Sequence, residues 1–191
     1  MLVVCEGEVT EVDYLNGLKR HFAALPVDIV PIGEGHDPLR VVERAVEERD
    51  EAAKNAKRQR DANLRFEEVW CLVDVDEHTR LHQAVALAKR EGVDAVVSNP
   101  CFELWLLYHF QDYTSSIHRS VLGREKLCKH IDRYAKRLPK DFPFGAHEEA
   151  KRRALRVSDA PKAPCTVGPN PSTSAWLLID AVRRGAKAGP A

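Results

Sequence analysis

Unbroken apolar runs, alternating with segments of helical spacing, constrain this chain more than any other feature. Leu2-Val3-Val4-Cys5 is the first run, and Val69 to Val73 is another. Residues apolar in succession bury both faces of a strand, the pattern of a parallel sheet covered by helices on each side. Leu15, Leu18 and Phe22 recur at helical spacing, which predicts a helix from about Thr10 to Leu25, ended by Pro26. Val27 to Ile32 reads as a second strand and Gly33-Glu34-Gly35 as a turn. Asp37 then supplies an N-cap with Pro38 at the first helical position, opening a helix that extends toward Asn63. Its later part, Glu47 to Arg65, is charged nearly all round and reads as either a solvent-exposed helix or a partly mobile stretch.

The alternation continues. Glu68 to Val73 is the third predicted strand, followed by a helix from about Arg80 to Arg90 with Gly92 as its stop. Asp94 to Val97 is the fourth strand, and a helix follows from about Glu103 to Phe110. Strand and helix in strict succession imply right-handed crossovers and a Rossmann-like α/β fold with a mostly parallel sheet of about four strands. Residues 1–112 are expected to form this core and residues 113–191 a helical, basic extension packed on it. In the extension, Leu127, Ile131, Tyr134 and Leu138 make one helical stripe. Val157 to Asn170 reads as loop, and Pro171-Ser172-Thr173 as the opening of a last helix reaching about Arg184.

With 191 residues and 44% apolar content, the chain has material for one ordinary core. No apolar run reaches the roughly 18 residues that span a bilayer, and no signal peptide is evident in the first residues. The five cysteines, Cys5, Cys71, Cys101, Cys128 and Cys165, are widely spaced and include no Cys-x-x-Cys pair. Free thiols and a cytoplasmic location are the expectation. Net charge is zero but unevenly spread. Residues 1–118 carry 13 Lys/Arg against 22 Asp/Glu, whereas residues 119–156 carry 12 against 5. The basic segment suits a phosphate backbone, and it equally suits a solvated helix face or a contact with the acidic part.

In an open parallel sheet, ligands bind beyond the carboxyl ends of the strands. Three strands here carry acids to that edge: Glu6 after the first, Asp74 and Asp76 after the third, and Glu103 beyond the fourth. Asp74 and Asp76 alternate, so in an extended segment they face one side together. Carboxylates gathered this way repel one another unless a cation joins them or water screens them. An oxygen-only donor set suits Mg²⁺ or Mn²⁺ rather than zinc, and points to phosphoryl-transfer chemistry.

The residues around these acids form motifs. Cys5-Glu6-Gly7-Glu8-Val9-Thr10-Glu11, followed by Tyr14, resembles the opening motif of the RloB-like family of the Toprim superfamily. Val69-Trp70-Cys71-Leu72-Val73-Asp74-Val75-Asp76-Glu77-His78 is similar to its second motif, and Ser98-Asn99-Pro100-Cys101-Phe102-Glu103-Leu104-Trp105-Leu106-Leu107 to its third. Asn170-Pro171-Ser172-Thr173 is similar to a shorter late element. The resemblance implies a Toprim-like fold in the branch of overcoming-lysogeny-type nucleases. It implies Mg²⁺ held by Glu6, Asp74 and Asp76 for work on nucleic-acid phosphodiesters, in anti-phage or abortive-infection defence. An ATPase from the same locus is the partner expected if the chain is instead a non-catalytic interaction module. Two departures stand out. The position four residues after Glu6, often acidic in Toprim proteins, is Thr10, and the acid comes one later, at Glu11. Val9 stands where the family favours Lys.

The expected site is therefore Glu6, Asp74, Asp76, Glu103 and Glu11 as catalytic carboxylates, the first four as metal ligands. His78, Ser98, Asn99, Lys126, Lys129 and Arg133 are the expected substrate contacts. Each has a plainer role open to it. Glu11 and Glu103 sit in first helical turns, where acids favour the helix dipole. His78, Ser98 and Asn99 suit surface turns, and the lysines a solvated face. A metal-dependent nuclease is the favoured function, with DNA or RNA as partner and a homo-oligomer open. A non-catalytic interaction module and a small-molecule phosphatase or phosphotransferase are the rivals.

Overall fold

The computed structural model describes residues 1–23, 27–31, 37–75, 80–132 and 134–187. Five strands form one sheet: β1 (Leu2–Cys5), β2 (Asp28–Pro31), β3 (Val69–Asp74), β4 (Asp94–Asn99) and β5 (Ser172–Thr173). The order across the sheet is β2-β1-β3-β4-β5. The first four strands are parallel and β5 runs antiparallel to β4. The helices are α1 (Thr10–Phe22), α2 (Pro38–Gln59), α3 (Leu81–Glu91), α4 (Glu103–Tyr108), α5 (Arg119–Val121), α6 (His147–Leu155) and α7 (Ala175–Lys187).

The continuous apolar strands do what their composition requires, because each face meets helices. Val3, Cys5, Trp70, Leu72 and Val96 face a layer built from α1, α4, α6 and α7. The alternate residues Leu2, Val4, Val69, Cys71, Val73, Ala95 and Val97 face α2 and α3. Helix α4 is buried all round: Leu104, Trp105, Leu106, Leu107 and Tyr108 are each fully buried. A helix apolar on every side belongs at a core centre. The same apolar cluster takes in Leu122, Leu127 and Ile131 from the basic segment, so that segment packs on the sheet layer. Cys5, Cys71, Cys101 and Cys165 are buried thiols and Cys128 is exposed. Among the described residues no helix is long and apolar enough to cross a membrane.

Local signals explain most boundaries. The Asp37 carboxylate accepts from the Leu39 and Arg40 amides at 3.0 and 3.2 Å, opening α2 behind Pro38. Gly92 stops α3 with φ 67°, a left-handed geometry that glycine adopts without strain. Helix α1 stops at Phe22, with Ala23 left-handed, before the expected end at Leu25, which lies outside the described residues together with Pro26.

Two expectations fail. Pro171-Ser172-Thr173 does not begin a helix: Ser172 and Thr173 pair with Asn99 and Ser98, adding a fifth strand, and the helix starts at Ala175. The reason is side-chain bonding to β4. The Val97 amide donates to Ser174 Oγ at 2.8 Å, and the Ser98 and Thr173 hydroxyls bond at 2.8 Å. The stripe Leu127, Ile131, Tyr134, Leu138 is not one helix either. After α5 the chain makes a wide π turn (Leu122–Lys126) and a 3₁₀ turn (Leu127–Lys129), then runs irregularly. Leu127 and Ile131 stay in the core, while Tyr134 is drawn to polar partners described below.

Candidate functional site

The connection from β1 crosses one face of the sheet through α1, and the connection into β3 crosses the other through α2. Between neighbouring β1 and β3 the winding therefore reverses. Helices α1 and α3, which follow those two strands, pack on opposite faces, and such a reversal marks the ligand crevice at the carboxyl ends of an open sheet. Glu6 follows the last residue of β1, and Asp74 is the last residue of β3. Asp74 alternates with Trp70 and Leu72, so it belongs to the α1/α4 side. From that side the first turn of α1 brings Glu11 and the first residue of α4 brings Glu103.

These four carboxylates line one cavity of about 290 Å³. Its remaining wall is the β1–α1 turn, Gly7 to Thr10, together with Arg119 and Lys136. The Glu11 carboxyl is pushed up to about 7, chiefly by burial and further by the charges of Glu103 and Glu6; its own amide and Lys136 act the other way. Gly7 makes this placement sterically open, because a β-carbon there would fall on the Glu11 carboxylate.

A small polar network joins the walls. Thr10, 4% exposed, donates from Oγ1 to the Lys136 carbonyl at 2.7 Å. The Tyr134 hydroxyl donates to Glu103 Oε1 at 3.3 Å and lies 3.4 Å from Thr10 Oγ1. Burial, and the Glu103 charge beside it, hold the Tyr134 phenol well above its usual range. Thr10 stands where Toprim proteins often carry an acid. Here that position anchors the segment that delivers Lys136.

Of the expected site residues, Glu6, Glu11, Asp74 and Glu103 meet in the cavity. Asp76, His78 and Arg133 lie outside the described residues. Ser98 and Asn99 do not line the cavity: Ser98 is buried against Thr173, and the Asn99 amide donates to the Gly168 carbonyl at 3.0 Å. Both bonds tie the third motif to the late segment. Lys126 lies over the Tyr113 ring, 5.2 Å from its centre, and Lys129 is exposed at the end of the 3₁₀ turn. The sequence pattern does not mark Arg119, Lys136, Tyr134 or Thr10 as site residues. The excess of Lys and Arg over 119–156 marks the region, but with no regular helix there, periodicity cannot select which cations turn inward.

Among the described residues, no three His, Cys, Asp or Glu side chains are grouped as ready metal ligands. The donor chemistry nevertheless fits a hard divalent cation. The cavity acids offer oxygen only, and the charges of Glu103 and Glu6 add to the burial that raises Glu11, a repulsion that a bound cation relieves.

No curated protein and no solved structure matches the chain. A family model described as RloB-like protein matches residues 1–182, which include all three acid-bearing segments and β5. The chain belongs to the RloB-like family.

Proposed function

We propose that this chain is a Toprim-type nuclease that hydrolyses nucleic-acid phosphodiesters with Mg²⁺ or Mn²⁺. The observation that supports this reading is the cavity at the β1/β3 crevice, which Glu6, Glu11, Asp74 and Glu103 line together with Arg119 and Lys136. Carboxylates alone repel a phosphate and cations alone do not hold a metal, so a cavity with both suits a metal-assisted reaction at phosphorus. Glu6, Asp74 and Glu103 would hold the ion, joined by Asp76 on the sequence expectation. When bound, the ion supplies charge to the phosphate oxygens and lowers the cost of activating water. Tyr134 keeps the Glu103 carboxylate in place through its hydrogen bond. Glu11, buried and near neutrality in its proton affinity, is the carboxylate suited to take or give a proton. The defence setting is drawn from the family resemblance.

The test is incubation of mixed DNA and RNA substrates with Mg²⁺ or Mn²⁺, beside EDTA, with Asp74→Asn and Glu103→Gln variants. Metal-dependent cleavage should fall at least about 100-fold in each variant, in line with the loss of a group acting on the transition state. Full activity in both variants, or none in a folded wild type under any metal, overturns the reading.

A further inference from the structure

We propose that Arg119 and Lys136 form the basic wall of the cavity, a phosphate subsite beside the carboxylates. It deepens the nuclease reading and rests on it only for the source of the phosphate.

Two cations line the cavity, and they come from separate parts of the fold. Arg119 arrives from the start of α5 and Lys136 from the irregular stretch after the 3₁₀ turn, more than a hundred residues along the chain from α1. Their convergence is therefore a product of the tertiary fold.

Lys136 is held there by backbone means. Its φ is 65°, a left-handed conformation in which few non-glycine residues sit. The Thr10 hydroxyl donates to its carbonyl at 2.7 Å, so the first residue of α1 clamps the residue that carries the cation. A backbone held in a costly conformation next to a cavity points to a positioned side chain. The division of labour follows from sign. A phosphate is repelled by Glu6, Asp74 and Glu103 and seats on the basic wall, leaving the carboxylate wall to a cation. Arginine adds a planar pair of donors that matches two phosphate oxygens.

The competing role for Arg119 and Lys136 is to offset the neighbouring carboxylates and nothing more. Fluorescence anisotropy separates the two roles, using a short fluorescein-labelled oligothymidylate with Ca²⁺ present and salt varied. Arg119→Gln and Lys136→Gln should each weaken binding about five- to tenfold and flatten the plot of log affinity against log salt by about 0.7. Lys57→Gln, on the exposed far end of α2, should leave both unchanged, and Lys136→Arg should retain most of the affinity. AMP and inorganic phosphate as competitors identify the ligand's source. Displacement of the strand by either, with the same dependence on Arg119 and Lys136, supports the subsite for phosphate esters in general. Strand binding that neither displaces supports a subsite that needs the chain of phosphates. Unchanged affinity and slope in both variants, with a lower melting temperature, overturns the proposal in favour of the offsetting role. A folded wild type that binds none of the three probes overturns it as well. Binding that depends on both residues without any cleavage keeps the subsite and removes the nuclease reading. Cleavage with unaltered strand affinity in the variants does the reverse.

Discussion

The Glu11 carboxylate occupies the space beside Gly7 that a β-carbon would fill. The turn after β1 thus works through an absence of side chain, which lets a helix carboxylate fold back over the strand end. Gly7→Ala should push the Glu11 carboxylate away from Glu6 and Glu103. The end of a flexible side chain moves cheaply, so the melting temperature should change by no more than a few degrees. Metal-dependent cleavage should drop about tenfold or more. Comparing thermal melts with cleavage rates checks this; a large loss of stability would show that the backbone, not the carboxylate, yields.

Glu11 and His109 should pull stability in opposite directions as pH changes. Glu11 has its carboxyl raised from 4.5 to about 7, so the folded chain holds that proton more tightly than the unfolded chain. Its contribution is fully present below pH 4.5 and is lost as pH rises through 7. His109 is buried, donates from Nδ1 to the Pro143 carbonyl at 3.1 Å and accepts from the Tyr14 hydroxyl at Nε2. Burial first, then the nearby His147 and Arg153, lower it from 6.5 to about 3. Its contribution is fully present above pH 6.5 and is lost as pH falls toward 3. In urea titrations with EDTA, Glu11→Gln should be more stable than wild type at pH 8 by about 1–3 kcal/mol, the gap closing toward pH 4.5. Below pH 6.5 the variant should lose stability more steeply than wild type, because the opposing carboxyl is gone.

Gly17→Ala should destabilise, although alanine is the better helix former by about 1 kcal/mol. The added methyl would fall on the Phe144 ring, which packs in a cluster with Tyr14 and Phe142. Overpacking of this kind costs about 1–3 kcal/mol. A shift of the urea midpoint to lower concentration with an unchanged slope is the expected result, and Phe144→Leu in the same chain should restore part of it.

Ser174→Ala should cost about 1–3 kcal/mol, since it leaves the buried Val97 amide of β4 without its acceptor. Ser174→Thr, if it keeps the hydroxyl in reach, should cost less. Urea unfolding of the pair separates the hydrogen bond from the volume of the side chain.

The parallel strands and their helices were legible because their rules are local. Unbroken apolar runs show burial on both faces, Asp37-Pro38 shows a helix start, and Gly92 shows a stop. Glu6, Asp74, Glu11 and Glu103 were legible for the same reason: each is the next residue, or the first helical turn, after a readable strand. The strand β5 was not, because its two residues pair with Asn99 and Ser98, over seventy positions away. Arg119 and Lys136 were not, because their segment is held by single long-range contacts such as Thr10 to Lys136, which leave no period in the sequence. Tyr134 fitted an apolar stripe in sequence, yet its hydroxyl is what the fold uses.

The uneven burial of the thiols has a practical consequence. Cys5 and Cys71 are enclosed, with burial holding both well above the usual thiol range, and Cys101 and Cys165 are covered by the core. Cys128 alone among them is exposed, on the 3₁₀ turn between Arg119 and Lys136. The native chain therefore offers a single attachment point for a maleimide dye, with no engineered cysteine needed, on the very segment whose cations face the cavity. Its emission would follow ligand capture in real time.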